Sequence, residues 1–271
     1  MTASVPATAA PAAEPVLRRP SLVGRTRAGL ADALAEIGVP EKERRMRVGQ
    51  LWNWIYHYGV REFDAMTTIG KGLRGQLAER FSLDLPTVTA EQVSTDGTRK
   101  WLMRMPSTGP HDRGAEIECV YIPEVDRGTL CVSSQVGCTL TCTFCHTGTQ
   151  RLVRNLKTEE IVAQLMVARE RLGDFPNRKA PDGAFVPNDG GRFVSNIVFM
   201  GMGEPLANYN RVIQAVKTMV DKDHGLGMSA RGVTVSTVGL VPAIDKLAAE
   251  DIPVTFALSL HAPDDLLRDE M

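Results

Sequence analysis

The spacing of apolar side chains over residues 21–85 follows the period of an α-helix. Three helices are predicted: Arg27–Ile37, Lys42–Tyr58 and Gly70–Phe81. Gly38 and Pro40 form the stop signal after the first helix. Together they predict a small helical domain. Trp52, Trp54 and Tyr58 carry rings that suit stacking on nucleic-acid bases. For Trp52, packing in the core of this domain is the stronger expectation.

The pattern changes to strand-like alternation over residues 87–135. Val88–Val93 and Lys100–Met105 flank the dipeptide Asp96-Gly97, which is typical of a tight hairpin. Two further strands are predicted downstream: Ala115–Ile122 and Thr129–Gln135. This small stretch is predicted to be antiparallel and to lead into the main domain.

From Cys131 onward, strands and helices alternate, which indicates a parallel sheet with helices outside it, either a barrel or a doubly wound sheet. The predicted elements are a helix that has Thr158 as its N-cap and ends near Gly173, strand Phe193–Met200, helix Tyr209–Val220, strand Val233–Thr237, helix Pro242–Glu250 and strand Pro253–Leu260. Residues 175–191 form a long Pro-, Gly- and Asn-rich stretch, interpreted as an insertion or a functional flap. Asp264–Met271 begins a further helix, so the architecture is expected to continue beyond the last residue.

Composition places the chain among ordinary globular proteins, with 43% hydrophobic and 23% charged residues and no apolar run long enough for a membrane span. The Ala- and Pro-rich first fifteen residues lack the features of a signal peptide, so a cytoplasmic location is predicted.

Residues 1–110 carry 15 Lys/Arg and 11 Asp/Glu (+4), and the remainder carries 16 and 21 (−5). The basic front half is compatible with nucleic-acid contact, although solvated basic faces are common.

All five cysteines lie within 27 positions: Cys119, Cys131, Cys138, Cys142 and Cys145. Their clustering and odd number favour metal or redox chemistry over a disulfide framework. The last three form a CxxxCxxC loop, which suits a [4Fe-4S] cluster with one iron left open. Structural zinc is the alternative, but it normally takes four ligands in paired spacing. The neighbouring His146 is awkwardly placed to be the fourth.

The loop resembles the signature of the radical S-adenosylmethionine (SAM) superfamily, in which Phe144 matches the aromatic before the last cysteine. Gly201-Met-Gly-Glu204-Pro205 resembles the motif that binds the SAM amino group, where a carboxylate suits an ammonium. Longer segments resemble the RlmN/Cfr family of ribosomal and transfer RNA adenine methyltransferases over roughly residues 25–271: Trp52-Asn-Trp-Ile-Tyr, Glu118-Cys-Val-Tyr-Ile-Pro-Glu, Thr129-Leu-Cys131-Val-Ser-Ser-Gln-Val-Gly-Cys138, Arg154-Asn-Leu, Phe199-Met-Gly-Met-Gly-Glu-Pro-Leu, Val235-Ser236-Thr and Ser259-Leu-His261-Ala-Pro.

The resemblance implies an α/β fold that is a partial (β/α)6 radical SAM barrel, preceded by a helical accessory domain and an antiparallel strand segment. The implied division of the chain is a disordered head (1–20), an RNA-binding helical accessory domain (21–86), an antiparallel linker segment (87–124) and a radical SAM core (125–271). The core shows four strands of the parallel series where the family's barrel has six.

The resemblance also implies an activity, the methylation of adenine C2 in 23S rRNA, at the peptidyl-transferase centre, and in tRNA, next to the anticodon. One SAM places a methyl group on a cysteine. Reductive cleavage of another gives a 5′-deoxyadenosyl radical, which abstracts hydrogen from that methyl group. The resulting carbon radical adds to adenine as a covalent adduct. The run Phe-Cys-His-Thr-Gly-Thr-Gln resembles the C2 branch of the family. A C8 methyltransferase and a non-catalytic, zinc-stabilised RNA-binding module are the alternatives.

Roles for individual residues follow from the resemblance alone. Glu118 matches the base that removes the C2 proton, and Cys131 matches the cysteine that resolves the adduct through a transient disulfide. Cys138, Cys142 and Cys145 match the cluster ligands. Contacts to SAM are implied for Gly203, Glu204, Ser236, Ser259, Leu260 and His261. The implied partners are the two RNAs and an electron donor such as flavodoxin or ferredoxin, with a monomer and no membrane.

The residues themselves allow less specific interpretations. Without the resemblance, Cys131 reads as a small buried hydrophobe, Glu118 as solvent-facing and His261 as a core histidine. Cys119 has no role in the family pattern and is expected to be buried. The family's methyl-carrying cysteine and a further SAM-binding asparagine lie beyond residue 271. The chain is therefore expected to be a truncated form of a longer enzyme, with a defective fragment as the alternative, and is not expected to complete methyl transfer by itself.

Overall fold

The structure is a computed structural model that describes residues 19–106, 114–176 and 192–271. Residues 1–18 of the predicted head and 177–191 of the predicted insertion lie outside the described residues. The helices are α1 (Arg27–Glu36), α2 (Glu41–Trp52), α3 (Lys71–Arg80), α4 (Thr158–Leu172), α5 (Tyr209–Val220), α6 (Val241–Ala248) and α7 (Asp265–Glu270). The strands are β1 (Thr87–Val93), β2 (Arg99–Arg104), β3 (Glu116–Pro123), β4 (Gly128–Cys131), β5 (Gln135–Val136), β6 (Arg154–Asn155), β7 (Asn196–Phe199), β8 (Val233–Thr237) and β9 (Thr255–Leu258).

Seven of these strands form one sheet in the order β1-β2-β3-β4-β7-β8-β9. The neighbours from β1 to β4 are antiparallel, and those from β4 to β9 are parallel. Helices α4, α5 and α6 connect the successive parallel strands, as expected for crossovers between them. The α/β fold predicted from the strand–helix alternation is confirmed, and the antiparallel strands are continuous with its sheet.

The sheet has one face that belongs to the hydrophobic core. Alternate side chains of the parallel strands on this face are buried: Leu130, Val132, Ile197, Phe199, Val233 and Val235. They share one core with α4 and α5 residues such as Ile161 and Val212. The other face takes the intervening positions, such as Cys131, Val198 and Thr234, which are only partly buried. Because side chains of a strand alternate between its two faces, the predicted site residue Cys131 lies on this second face.

The helical domain packs around Trp52, which is 1% exposed, so its expected place in the core is confirmed. The predicted helix Lys42–Tyr58 is wrong in one respect. Regular α-helix stops at Trp52 and continues as one π-helical turn over Asn53–His57. In this turn the Tyr58 N–H donates to the Asn53 carbonyl at 3.1 Å, a wider hydrogen-bonded ring than that of an α-helix.

The helical domain docks on the core through Arg27 of α1. Its guanidinium donates to both carboxylate oxygens of Asp221, at 2.8 and 3.2 Å, just beyond α5. The same group lies 4.4 Å from the centre of the Trp52 ring, a cation–π contact. The Tyr56 hydroxyl, also buried, donates to the Arg25 carbonyl. The Arg27–Asp221 contact joins the helical domain to the sheet domain, whereas the contacts with Trp52 and Arg25 lie within the helical domain.

Several predicted boundaries in the sheet domain need correction. The predicted strands Phe193–Met200 and Pro253–Leu260 are shorter in the structure, at Asn196–Phe199 and Thr255–Leu258, and the predicted helix Pro242–Glu250 lies at Val241–Ala248. The N-cap of α4 is Lys157, not Thr158, because the Glu160 carboxylate accepts the Lys157 N–H at 2.8 Å and the Thr158 hydroxyl turns to the Arg211 carbonyl. The predicted strand Thr129–Gln135 is broken after Cys131, because the Gln164 side chain takes both backbone bonds of Ser133. Beyond this point the chain forms the short β5–β6 pair.

Among the described helices, none is both long and apolar enough to cross a membrane.

Candidate cofactor and catalytic site

The three clustered cysteines lie on the loop between β5 and β6. Backbone bonds shape this loop: Cys145 N–H donates to the Cys142 carbonyl at 3.1 Å, and Gly148 N–H donates to the Cys145 carbonyl at 2.9 Å. A Cβ on Gly148 would lie 2.5 Å from the Cys142 oxygen, so the loop closes this tightly only with glycine. The thiols of Cys138, Cys142 and Cys145 are free and partly buried.

The donor set of this loop fits an iron–sulfur cluster. Burial raises the pKa of the Cys138 thiol, the Leu140 N–H lowers it, and the nearby Cys142, Cys145 and Glu204 groups raise it further. Within the described ranges, no three His, Cys, Asp or Glu side chains are grouped in a way that could already hold a metal ion. Three thiols on one short loop are nevertheless the ligands that such a cluster takes.

Glu204 lies in the loop after β7 and is 3% exposed. Its two carboxylate oxygens are held by different segments: Oε1 accepts the Leu206 N–H at 3.0 Å, and Oε2 accepts the Val238 N–H at 3.1 Å. Each oxygen keeps a lone pair for another donor. Glu204 is thus a fixed, buried anion suited to an ammonium group.

The glycines around Glu204 allow its loop to lie directly on the strand ends. Gly203 has φ +94°, and a Cβ there would come within 2.4 Å of the Gln135 Cβ. A Cβ on Gly201 would lie 2.8 Å from the Val132 backbone. This packing by itself explains why glycine is required at position 203. The contact of Gly203 with SAM stays a prediction.

The remaining predicted SAM contacts lie at the ends of β8 and β9. The Ser236 and Ser259 hydroxyl oxygens are 3.2 Å apart, so the two serines meet. Leu260 and His261 are exposed, and the His261 ring lies 4.5 Å from the Phe144 ring of the cysteine loop. The interpretation of His261 as a core histidine is therefore wrong.

Glu118 and Cys131 share the face of the sheet that the hydrophobic core leaves free. Cys131 pairs with Val120, two residues from Glu118 on β3, so their side chains point to the same side. Glu118 is exposed, and its carboxylate accepts from Lys100 Nζ at 3.0 Å. Burial raises the pKa of the Cys131 thiol, and the Met200 N–H lowers it. Cys119, on the opposite face, is fully buried as expected.

The structure therefore brings most predicted site residues to one place. The cysteine loop, Glu204 and the Ser236–Ser259 pair all lie at or just beyond the carboxyl ends of parallel strands, the edge at which barrel enzymes carry their sites. Cys131 and Glu118 continue along the free face toward the antiparallel strands. This edge combines a thiol-rich loop, a buried carboxylate and hydroxyl groups.

Two polar residues at the site were missed by the sequence analysis. Gln135 is fully buried and bonds both to the cysteine loop and to the Glu204 amide. Its signal was a glutamine between Ser134 and Val136 where an ordinary buried strand would be apolar. Lys100 was predicted only as a strand residue, and its pairing with Glu118 depends on strand register, which the sequence pattern did not provide.

Comparison with known proteins adds an independent view. Residues 21–83 match the family model described as the ribosomal RNA large subunit methyltransferase N-terminal domain. The chain is 65% identical over 255 residues to the dual-specificity RNA methyltransferase RlmN of Methylobacterium sp. (strain 4-46), covering 93% of this chain and 59% of that protein. It is 60% identical over 252 residues to the protein of that name from Beijerinckia indica subsp. indica, covering 93% and 64%.

A solved structure agrees with these sequences. The chain matches a radical SAM methyltransferase from Sphaerobacter thermophilus with a TM-score of 0.76 and 40% identity, over 93% of this chain and 66% of that one. The chain thus spans between 59% and 66% of the length of these three relatives. With this similarity along nearly its whole length, and with the site geometry above, the chain belongs to the RlmN family.

Proposed function

We propose that the chain acts in a radical SAM methyltransferase that methylates C2 of adenine in 23S rRNA and in tRNA, through a methyl-cysteine intermediate and two SAM molecules. The observation that carries the proposal is the meeting of the cysteine loop, Glu204 and the Ser236–Ser259 pair at one edge of the sheet. Membership of the RlmN family supports it.

In this proposal Cys138, Cys142 and Cys145 would hold a [4Fe-4S] cluster. When bound, the cluster and SAM would supply the electron and the radical that begin the reaction. Glu204 would accept hydrogen bonds from the SAM ammonium, since its carboxylate is buried and already oriented. The remaining predicted contacts would be made by Gly203, Ser236, Ser259, Leu260 and His261.

Glu118 and Cys131 would act on the RNA from the free face of the sheet. Glu118 would take the proton from adenine C2, and Lys100 would hold the carboxylate by its ion pair. The Cys131 sulfur would attack the sulfur that links protein to RNA. That attack forms a disulfide as the carbon–sulfur bond breaks, and the electron pair remains on the RNA carbon, which takes up a proton. The rise in the thiol pKa means that Cys131 would have to lose its proton as it attacks.

We further propose the domain division 1–20, 21–86, 87–124 and 125–271, with the second segment contacting RNA. Trp54 and Tyr58, whose ring centroids lie 5.0 Å apart and whose side chains are partly exposed, are the aromatic groups best placed for that contact. A monomer in the cytoplasm, reduced by a flavodoxin or ferredoxin, completes the proposal. The RNA substrates imply that location.

The test uses cells that carry or lack the gene encoding the chain, with nucleosides from their rRNA and tRNA analysed by mass spectrometry. The proposal predicts that deletion removes C2-methyladenosine from both RNAs, and that the whole gene from the same genome restores it whereas its Glu118→Gln variant does not. Loss of C8-methyladenosine instead would overturn the C2 assignment in favour of the C8 branch. Unchanged methyladenosines would overturn the activity altogether.

A further inference from the structure

The Gln135 side chain is fully buried and makes four hydrogen bonds, which use its whole amide. Its Nε2 donates to Thr139 Oγ1 and to Asn155 Oδ1, each at 2.7 Å. Its Oε1 accepts the Glu204 N–H at 3.0 Å and the Thr139 N–H at 3.2 Å. One rigid group therefore connects three segments of the chain.

Two of these segments belong to the proposed cofactor site. Thr139 directly follows the first cysteine of the loop, Cys138, and Glu204 is the buried carboxylate after β7. Because a buried amide costs free energy when any of its bonds is lost, Gln135 resists movement of either segment relative to the other. The missing side chain of Gly203 lets the Glu204 loop lie against Gln135, since a Cβ would come within 2.4 Å of the Gln135 Cβ.

Another glutamine provides a natural comparison. Gln164 of α4 is also fully buried, and its amide bonds the Ser133 backbone, accepting the N–H at 2.8 Å and donating to the carbonyl at 2.9 Å. Gln164 thus joins a helix to a strand end. Gln135 joins the cysteine loop to the carboxylate loop.

We propose that Gln135 is a positioning residue that fixes the distance between the cysteine loop and Glu204, and so sets the affinity of the site for SAM. The inference rests on the proposed function, because it assigns the loop to a cluster and Glu204 to the SAM ammonium. Gln135 touches neither ligand. It acts through the Thr139 and Glu204 backbone amides.

The experiment compares Gln135→Met with Gln164→Met in the 271-residue chain, because methionine keeps the length of glutamine and removes all its hydrogen bonds. The first measurement is hydrogen exchange of the Thr139 and Glu204 amides in the metal-free chain. Gln135→Met should accelerate both amides about tenfold, since each loses the Gln135 oxygen as its acceptor, whereas Gln164→Met should leave both unchanged. Thermal unfolding monitors the stability loss that both variants share.

The second measurement is a SAM titration of the anaerobically reconstituted, reduced chain, followed by its electron paramagnetic resonance spectrum. Gln135→Met should retain iron but need about tenfold more SAM for the spectral change, as expected when a charged contact is misplaced. Gln164→Met should respond like the unmodified chain. Equal SAM responses of the two variants, or unchanged amide exchange in Gln135→Met, would overturn the inference.

Two further outcomes are kept apart by this design. An unmodified chain that takes up no iron would overturn the proposed function, and with it the effect on SAM, while amide exchange would still report whether Gln135 holds the two segments. If Gln135→Met does not fold, Thr139→Val replaces it, because Thr139 is exposed and this change removes a single acceptor of Gln135. Unaltered SAM response in Thr139→Val would then overturn the inference.

Discussion

Phe144 and His261 lie with their ring centroids 4.5 Å apart, which joins the cysteine loop to the chain just after the last parallel strand. His261 has φ +58°, an unfavourable backbone conformation for a residue other than glycine. The Arg268 guanidinium donates to the Leu260 carbonyl beside it and supports this turn. The contact places His261 at the edge of the proposed SAM site.

Replacing His261 by alanine should therefore weaken SAM binding about threefold to tenfold, because an exposed ring at the site edge loses its contacts without disturbing the core. The free energy of unfolding should change by less than about 0.5 kcal/mol. Equilibrium titration of the reconstituted chain with SAM measures the effect. His224→Ala is the matched control, since His224 is also exposed and has φ +53°. Equal effects of the two variants would contradict the placement of His261 at the SAM site.

Glu204→Gln should lower both stability and SAM affinity. The new amide nitrogen would face a backbone N–H in place of an acceptor, which costs about 1–3 kcal/mol of unfolding free energy, and the lost charge should weaken SAM binding about tenfold or more. Glu160→Gln is the control, because Glu160 is another buried carboxylate that caps a helix. It should lose stability and keep its SAM affinity, as measured by thermal unfolding and ligand titration. Retained SAM affinity in Glu204→Gln would exclude Glu204 as the ammonium partner.

Alkylation of Cys131 should depend on pH in a way that reflects its burial. Burial disfavours the thiolate and raises the pKa of Cys131, so at any given pH less thiolate is present than in an exposed thiol, and the reactive form appears only at higher pH. In the metal-free chain, iodoacetamide labelling of Cys131 should remain slow at pH 7 and increase above pH 9. Peptide mass spectrometry measures it, with the fully buried Cys119 as an unlabelled reference. Rapid labelling at pH 7 would contradict the raised pKa.

The docking of the helical domain should depend on Arg27. Arg27→Met removes the paired bonds to Asp221 and the contact with the Trp52 ring, and should lower the free energy of unfolding by about 1–2 kcal/mol. Arg80→Met removes a more exposed ion pair with Glu36 and should cost less than about 0.5 kcal/mol. Urea unfolding of both variants decides the comparison. An equal cost would show that Arg27 contributes no more than a surface charge.

Much of the fold was predictable because local patterns determine it. The helix Tyr209–Val220 and the strand Val233–Thr237 were predicted with the bounds that the structure shows, since their apolar periodicity is strong and their ends are marked. The boundaries that failed depend on tertiary contacts. Strand β4 stops early because the Gln164 side chain, far along the sequence, takes the bonds of Ser133.

The site was predictable where motifs carry it and not where buried polar contacts do. The cysteine spacing and the Glu204 loop were visible in the sequence, and the structure brings them together. Gln135 was not singled out, because its importance lies in four bonds to three separate segments, which no local pattern records. The exposure of His261 likewise depends on the turn that follows β9.

The most direct test of the account is the metal that the cysteine loop binds. After anaerobic reconstitution with iron and sulfide, the chain should hold about four irons and show the broad absorbance of a [4Fe-4S] cluster. Cys142→Ala should lose both signals, and the control Cys119→Ala should keep them, because Cys119 is buried on the opposite face of the sheet. Stoichiometric zinc without iron, or an intact cluster in Cys142→Ala, would contradict the account.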